Sequence, residues 1–158
     1  MAIRDTSRKP YIQDNDNNIK IGIDLPVRRG DNLDGYFAST KTTIEAVKNN
    51  IRNLVSTVPG ERFYHPTLGI HLRKFLFEQI DDNSILSIQD LILDSISVFL
   101  PFVEVRNIQV KTANNNTDVG VNTLLINIIF NIKRDPQTLD SVQLAISSTS
   151  DSTTDGGF

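Results

Sequence analysis

The chain has 158 residues, of which 39% are hydrophobic and 22% are charged, and its formal net charge is −3. This length suits one domain with a real core, and the charge lacks the basic stripe that unselective binding to nucleic acid requires. The sequence has no cysteine, which excludes disulfides, zinc–thiolate sites and cysteine nucleophiles.

The two ends of the chain differ from its middle. Residues 1–18 are polar and show no periodicity, so they predict an extended or disordered arm, and the Ser/Thr/Asp/Gly-rich residues 148–158 predict a flexible tail. Residues 19–147 are then expected to form a single domain. The start of the chain lacks the apolar core of a signal peptide, and the longest apolar run, residues 124–130, is far below the ~20 residues of a membrane span. A soluble protein without a membrane partner is therefore expected.

The first regular elements are an edge strand and a long helix. Residues 19–27 alternate between apolar and polar, which is typical of a short edge strand. Apolar residues at spacings of three and four predict an amphipathic helix over residues 39–57. Thr42 and Glu45 have the spacing of a capping box, although Ser39 is an alternative start. The helix is expected to end before Pro59-Gly60.

The second half of the chain changes from a helical to a strand-like period. A short helix is expected at about residues 68–77, and a long one follows the N-cap candidates at 81–84 and is closed by Pro101. Alternating residues then predict strands around 108–110, 124–132 and 142–146, with turns at 114–117 and Asp135-Pro136. Helices and strands segregate, which predicts an α+β fold: an antiparallel sheet packed by two long amphipathic helices plus a short one.

Residues 57–78 carry the most specific motif. They fit the pattern T-x-P-G-E-R-x-x-x-P-x-x-G-x-x-L-x-x-x-L-F-E at its fixed positions. That pattern resembles the signature of the baseplate wedge proteins of contractile phage tails, the sheath-initiator family, which has relatives in type VI secretion baseplates. Phe63-Tyr64 stands where family members usually have a proline, and Gln79 replaces another proline that many of them carry.

A second stretch supports the same resemblance. Family members carry a Glu-Pro-Arg triplet between the long helix and the sheet, and Glu104 and Arg106 match it, with Val105 in place of the proline. In the family this triplet holds the wedge protein against its baseplate neighbours. The alternative, from the residues alone, is an ion pair within the chain. At an exposed site such a pair contributes only about 0–1 kcal/mol to stability.

The resemblance implies a structural, non-enzymatic component of a phage tail baseplate, assembled in the host cytoplasm and carried in the virion, that templates the contractile sheath by β-strand augmentation. It implies other wedge proteins, the sheath protein and, in addition, the tail tube initiator as partners. The residues expected to bind partners are Glu61, Arg62, Glu78, Glu104 and Arg106. The residues expected to shape the motif are Pro59, Gly60, Gly69, Leu72, Leu76 and Phe77. The expected sheath-facing strand residues are Ile126, Ile128, Phe130, Val142, Leu144 and Ile146.

Two other classes remain open at this point, a peptidoglycan hydrolase and a regulatory adaptor of the same fold. A glycosidase needs two carboxyl groups about 5–9.5 Å apart, one of them protonated, and the plausible acids Glu61, Glu78 and Glu104 lie in motifs that also carry arginine. The two histidines, His65 and His71, lack the spacing of a metal site. No catalytic residue, cofactor or metal is expected.

Overall fold

The structure, a computed structural model, describes residues 20–30, 35–78, 81–112 and 123–147. The chain divides into two compact units, Met1–Asn49 and Asn50–Phe158. The predicted arm at 1–18, the turn at 114–117 and the tail at 148–158 lie outside the described residues.

The first unit is built on a short antiparallel ladder. Strand β1 (Gly22–Ile23) pairs with β2 (Ser39–Thr40), and the main-chain N–H of Asp24 donates to the carbonyl of Ala38 at 2.9 Å. The strand predicted over residues 19–27 is thus only two residues long. Ser39, the alternative helix start, lies in β2 instead, because its main chain pairs with Ile23.

Helix α1 (Thr43–Ser56) begins at the predicted capping box. Thr42 Oγ1 accepts a hydrogen bond from the N–H of Glu45 at 3.4 Å, as an N-cap residue does for the third helical residue. The Glu45 carboxylate in turn accepts from the N–H of Lys41 at 3.3 Å, one residue before the position that a regular capping box uses. The prediction of a start at Thr42 is confirmed.

The second unit contains the remaining elements in the order helix, helix and three strands. These are a 3₁₀ helix (Leu72–Phe77), α2 (Asp82–Phe99), β3 (Val103–Thr112), β4 (Thr123–Ile132) and β5 (Asp135–Ser147). The strands form an antiparallel sheet in the order β3-β4-β5, so that β4 is central and β3 and β5 are its edges. The predicted α+β class with an antiparallel sheet is confirmed.

The core of the second unit lies on one face of this sheet. The even-numbered residues of β4, from Leu124 to Ile132, are all at most 3% exposed, as the two-residue period of a strand requires for its buried face. The helical elements contribute their apolar stripes: Ile51, Leu54, Val55, Leu72, Phe75, Leu76, Ile88, Ile92 and Ile96 are also buried. Within the part of the chain that the structure describes, no helix is long and apolar enough to cross a membrane.

Two elements differ from the sequence-based expectation. The short helix is of the 3₁₀ type and begins at Leu72 rather than near residue 68. Strands β4 and β5 are joined through Lys133-Arg134, not through a turn at Asp135-Pro136. The ladder register shifts here, because Ile132 pairs with Asp135 whereas Asn131 pairs with Leu139. Residues 136–138 therefore lie outside regular pairing, where a proline costs no ladder hydrogen bond.

Asp24 supplies a pH-dependent contact within the first unit. Burial raises the pKa of Asp24, but the hydrogen bonds from Arg28 and Asn49 outweigh burial and hold the pKa below its ordinary value. A carboxyl group whose pKa is lower in the folded state stabilises that state above its unfolded pKa, and the contribution is lost as the pH falls through the folded pKa.

We expect Asp24→Asn to destabilise the first unit at pH 7 by less than about 1 kcal/mol, because Arg28 is mostly exposed. At an acid pH below the folded pKa of Asp24, where the wild-type carboxyl group is protonated, the two proteins should be nearly equal in stability. Urea unfolding followed through the amide signals of Gly22 and Ile23 measures this difference. A difference that is the same at both pH values would contradict the assignment.

Candidate functional site

The first part of the motif at residues 57–78 folds into a closed loop after α1, which we call the motif loop (residues 57–71). The N–H of Gly60 donates to the carbonyl of Pro66 at 2.8 Å and closes the loop at its tip. The N–H of Ile70 donates to the carbonyl of Thr57 at 2.9 Å and closes it at its base. The hydroxyl of Thr57 donates to the carbonyl of Asn53 at 2.5 Å and ties the base to the last turn of α1.

Glycine is required at the base of this loop for two reasons. Gly69 has φ 121°, a left-handed conformation that other residues adopt only with strain. A Cβ atom at this position would lie 2.3 Å from the carbonyl oxygen of Thr57. Gly60 also has a positive φ, of 94°, but a Cβ atom there would meet no atom within 4 Å. The two motif glycines therefore have different roles, since only Gly69 lets two segments of main chain touch.

Glu61 and Arg62, which are predicted to bind partners, each contact their own chain. The Glu61 carboxylate accepts a hydrogen bond from the N–H of Val58 at 3.1 Å. The Arg62 guanidinium donates to the Asn53 side-chain oxygen at 2.6 Å. Both side chains are nevertheless exposed, so these bonds fix their direction at the surface. Asn53 was missed in the sequence, where it reads as one more polar residue of the helix.

The tip of the motif loop and the end of the 3₁₀ helix expose aromatic side chains. Phe63 is 97% exposed and Tyr64 is 91% exposed, and their rings lie edge to face with centroids 6.1 Å apart. In the 3₁₀ helix, Leu72 and Leu76 are buried, whereas Phe77 is 74% exposed. Phe77 thus lies on the surface beside Glu78, which is also exposed.

Glu104 and Arg106 meet at a third residue, Asn131, which the sequence did not indicate. The Arg106 Nε–H donates to Asn131 Oδ1 at 2.9 Å, and Asn131 Nδ2 donates to Glu104 Oε2 at 3.1 Å. Arg106 Nη2 lies 3.2 Å from the same Glu104 oxygen and completes a closed cluster. Asn131 is fully buried, whereas the two charged side chains are about half exposed. The intramolecular ion pair, which the residues alone offered as the alternative to a partner contact, is present, and it has a buried amide beneath it.

A β-bulge in β3 lies at this cluster. Val105 pairs with Phe130 and Asn107 pairs with Ile129, so Arg106 is an extra residue without a partner in β4. The extra residue changes which residues face the core, from Val103 before the bulge to Ile108 after it. Without the bulge, the alternation of the strand would turn either Val103 or Ile108 out of the core.

The residues predicted to face the sheath lie on the buried side of the sheet. Ile126, Ile128 and Phe130 are fully buried in β4, and β4 is paired on both sides. Val142, Leu144 and Ile146 are buried or partly buried in β5, which is an edge strand. Only β5, of these two strands, can therefore offer main-chain hydrogen bonds to a partner.

Two independent hydrogen bonds show which main-chain groups face the edges of the sheet. The Gln89 side chain of α2 donates to the carbonyl of Ile108 at 2.9 Å, so this carbonyl points away from β4. Ile108 and Ile128 are therefore a non-hydrogen-bonded pair, and the N–H and C=O groups of Ile128 point toward β5. There they bond to Val142, which pairs with Ile128.

The same alternation predicts that the N–H of Ser141 points away from β4, and it does donate to the Asp140 carboxylate at 2.7 Å. The main-chain groups of Gln143 and Ala145, two and four residues on, therefore face the open side of β5. The other edge, on β3, carries the Gln89 bond and lies beside α2. Gln89 was missed because it borders the apolar stripe of α2 as an ordinary polar residue.

The described residues offer no metal centre. No group of three or more histidine or acidic side chains in that part of the chain could hold a metal ion. His65 and His71 are both exposed.

Two solved structures share this fold. One is the baseplate of the anti-feeding prophage, with a TM-score of 0.59 and 23% identity over 73% of this chain and 86% of that chain. The other is a tail lysozyme candidate from Geobacter sulfurreducens, with a TM-score of 0.58 and 18% identity over 71% of this chain and 97% of that chain. A search of curated proteins found no match.

The family model of baseplate wedge protein gp25 matches residues 41–137, which include the motif loop, the Glu104–Arg106 cluster and most of the sheet. This match extends over more than half of the chain. It bears out the resemblance that residues 57–78 and 104–106 predicted. The chain belongs to the baseplate wedge protein gp25 family and is a structural component of a tail baseplate.

Proposed function

We propose that the protein templates the contractile sheath by β-strand augmentation, with β5 as the accepting edge. The observation that carries this proposal is the direction of the main chain on the two edges of the sheet. On β3, the outward carbonyl of Ile108 already has a partner within the chain. On β5, Gln143 and Ala145 direct their N–H and C=O groups outward, where a strand from a sheath subunit can pair with them.

The packing of β5 makes it a preformed acceptor. Val142 is 1% exposed, and with Leu144 and Ile146 it holds the strand against the core in one register. A strand that slipped by one residue would turn these side chains outward, so the register is strongly specified. An incoming strand therefore finds its hydrogen-bonding groups already ordered, which reduces the entropy cost of binding.

In addition to the sheath, the protein must contact the baseplate, and we attribute this second contact to charged surface residues. We assign Glu104 and Arg106, with Glu61, Arg62 and Glu78, to contacts with other wedge proteins, and place the protein in the baseplate of the virion. The first four of these side chains are held by hydrogen bonds or ion pairs to their own chain, so their directions are fixed before binding. The tail tube initiator is proposed as a further partner on the same basis of family resemblance.

The geometry gives peptidoglycan hydrolysis no comparable support. The Glu61 carboxylate accepts a main-chain hydrogen bond, and the Glu104 carboxylate accepts bonds from Asn131 and Arg106. Both carboxylates are thus engaged in contacts within their own chain, which glycoside hydrolysis does not require. The regulatory adaptor has no structural observation in its favour, and family membership favours the baseplate.

The test is a proline substitution in β5. Gln143→Pro removes an N–H that faces the open edge and leaves the ladder with β4 intact, and edge positions of this kind tolerate proline. We expect the variant to fold and to enter baseplates, while tails with a polymerised sheath fall to almost none. Electron microscopy of tails made in cells that supply only the variant counts sheathed and naked tubes.

Two control variants separate the edge from the fold. Gln143→Ala shortens the side chain and keeps the main-chain donor, so sheaths should assemble normally. Leu144→Pro removes an N–H that bonds to β4, so this variant should unfold. Normal sheaths on baseplates that contain folded Gln143→Pro protein would contradict the proposal and would indicate β1 as the accepting edge.

A further inference from the structure

We propose that Asn131 is a positioning residue, whose buried side chain orients Arg106 and Glu104 for recognition of a baseplate neighbour. The inference rests on the proposed contact of these two charged residues with another wedge protein. It assigns a role to a residue that lies outside both family motifs and contacts no solvent.

Hydrogen bonds join the Asn131 side chain to both charged side chains. Its Oδ1 accepts from Arg106 Nε at 2.9 Å, and its Nδ2 donates to Glu104 Oε2 at 3.1 Å. Asn131 itself lies in the central strand, where its main chain pairs with Glu104 on one side and Leu139 on the other. The side chain that directs the cluster is therefore the one with the least freedom to move.

An exposed ion pair without such an anchor has many conformations of similar energy, because both side chains are long and solvated. The Arg106 and Glu104 side chains are 49% and 41% exposed, so solvent alone would not select one geometry. Arg106 is the extra residue of the bulge, and its Nε–H lies 2.9 Å from Asn131 Oδ1, on the residue that pairs with Glu104.

The unused groups of Arg106 indicate what the partner presents. A guanidinium group has five N–H donors, and the cluster uses Nε–H and one on Nη2, so three remain. A guanidinium group has no acceptor, so the complementary partner group is an acceptor, namely a carboxylate or a main-chain carbonyl. Fixing a long side chain before binding removes an ordering cost that corresponds to roughly tenfold in affinity.

The experiment compares variants of Asn131 for binding to the wedge subcomplex, purified from the other wedge proteins of the same genome. Asn131→Leu keeps the branching and the number of side-chain heavy atoms, removes both hydrogen bonds and places an apolar group in a buried position, so we expect it to fold. We expect its affinity to fall about tenfold while its melting temperature changes little. The NMR signal of the Arg106 Nε–H should exchange slowly with solvent in the wild type and rapidly in the variant.

A swap of functional groups tests rescue and does not depend on the leucine variant folding. Asn131→Asp alone keeps the acceptor for Arg106 but places a second carboxylate against Glu104, so its affinity should fall. In the double variant Asn131→Asp with Glu104→Gln, the new glutamine donates to the new aspartate, and the net charge of the cluster is restored. We expect the Arg106 Nε–H to be protected again in the double variant, and its affinity to exceed that of Asn131→Asp alone.

The outcomes separate the inference from the proposed function. If Asn131→Leu binds as tightly as the wild type, or if the Arg106 Nε–H is no better protected in the double variant than in Asn131→Asp alone, Asn131 does not position the pair. If the wild-type protein itself does not bind the wedge subcomplex, the proposed wedge contact is wrong, and with it the premise of the inference.

Discussion

Gly69→Ala is expected to lower the free energy of unfolding by roughly 2–6 kcal/mol. About 1–3 kcal/mol comes from forcing an L-residue into the left-handed conformation at φ 121°. A further contribution of about 1–3 kcal/mol comes from overpacking, because the new methyl group would lie 2.3 Å from the carbonyl oxygen of Thr57. Main-chain atoms on both sides must move apart, which also weakens the hydrogen bond from Ile70 to Thr57. Urea unfolding followed by circular dichroism measures the loss.

Gly60→Ala is the matched control for this prediction. Gly60 has φ 94° and open space where its Cβ atom would be, so only the conformational strain of about 1–3 kcal/mol applies. The difference between the two variants isolates the close approach of Gly69 to Thr57. Equal losses of stability in the two variants would show that this contact relaxes at no cost.

Phe130→Ala is expected to destabilise the second unit by about 3–5 kcal/mol, which is a large part of the stability of a small domain. Phe130 is 0% exposed in the central strand, where truncation removes buried apolar area and leaves a cavity. Phe63→Ala makes the same chemical change at a side chain that is 97% exposed, and should change stability by no more than about 0.5 kcal/mol. Thermal unfolding of both variants beside the wild type measures the contrast. A Phe130→Ala protein as stable as the Phe63→Ala protein would mean that the described core is wrong.

The parts of the fold that follow from periodicity could be predicted from the sequence. The buried stripe of α2 repeats over three positions and the even-numbered residues of β4 over five, so the pattern outweighs any single residue. The start of α1 was predictable to within one residue because Thr42 and Glu45 have a specific spacing. Strand β2 was missed because two residues are too few to show a period, and serine also suits an N-cap.

The bulge at Arg106 was not predicted, although the sequence carries a sign of it. Val103 and Val105 occupy odd positions, whereas the later core residues Ile108 and Val110 occupy even ones. A change of parity within one strand requires an extra residue, so the stretch from 105 to 108 had to contain a bulge. The earlier prediction began the strand near residue 108 and therefore compared too few positions to detect the change.

Asn131 and Gln89 could not be assigned from the sequence for a physical reason. Both roles depend on which atom of another strand lies within about 3 Å, and this distance is set by pairing register and helix docking. An asparagine that alternates with apolar residues reads as a solvent-facing position, since most such residues on an open sheet face are exposed. The buried amide of Asn131 is found only when the partner strand and its bulge are known.

The bond from Gln89 to Ile108 has a consequence for how many strands the sheet can acquire. Because α2 lies beside β3 and Gln89 bonds the outward carbonyl of Ile108, we expect additional strands to join along β5. If two copies paired through β5, the open edge of each would be covered by the other. The association would then stop at a dimer without propagating into a fibre. If strands join along β5 alone, as proposed, the sheet can begin an ordered array in one direction and cannot be incorporated into its middle.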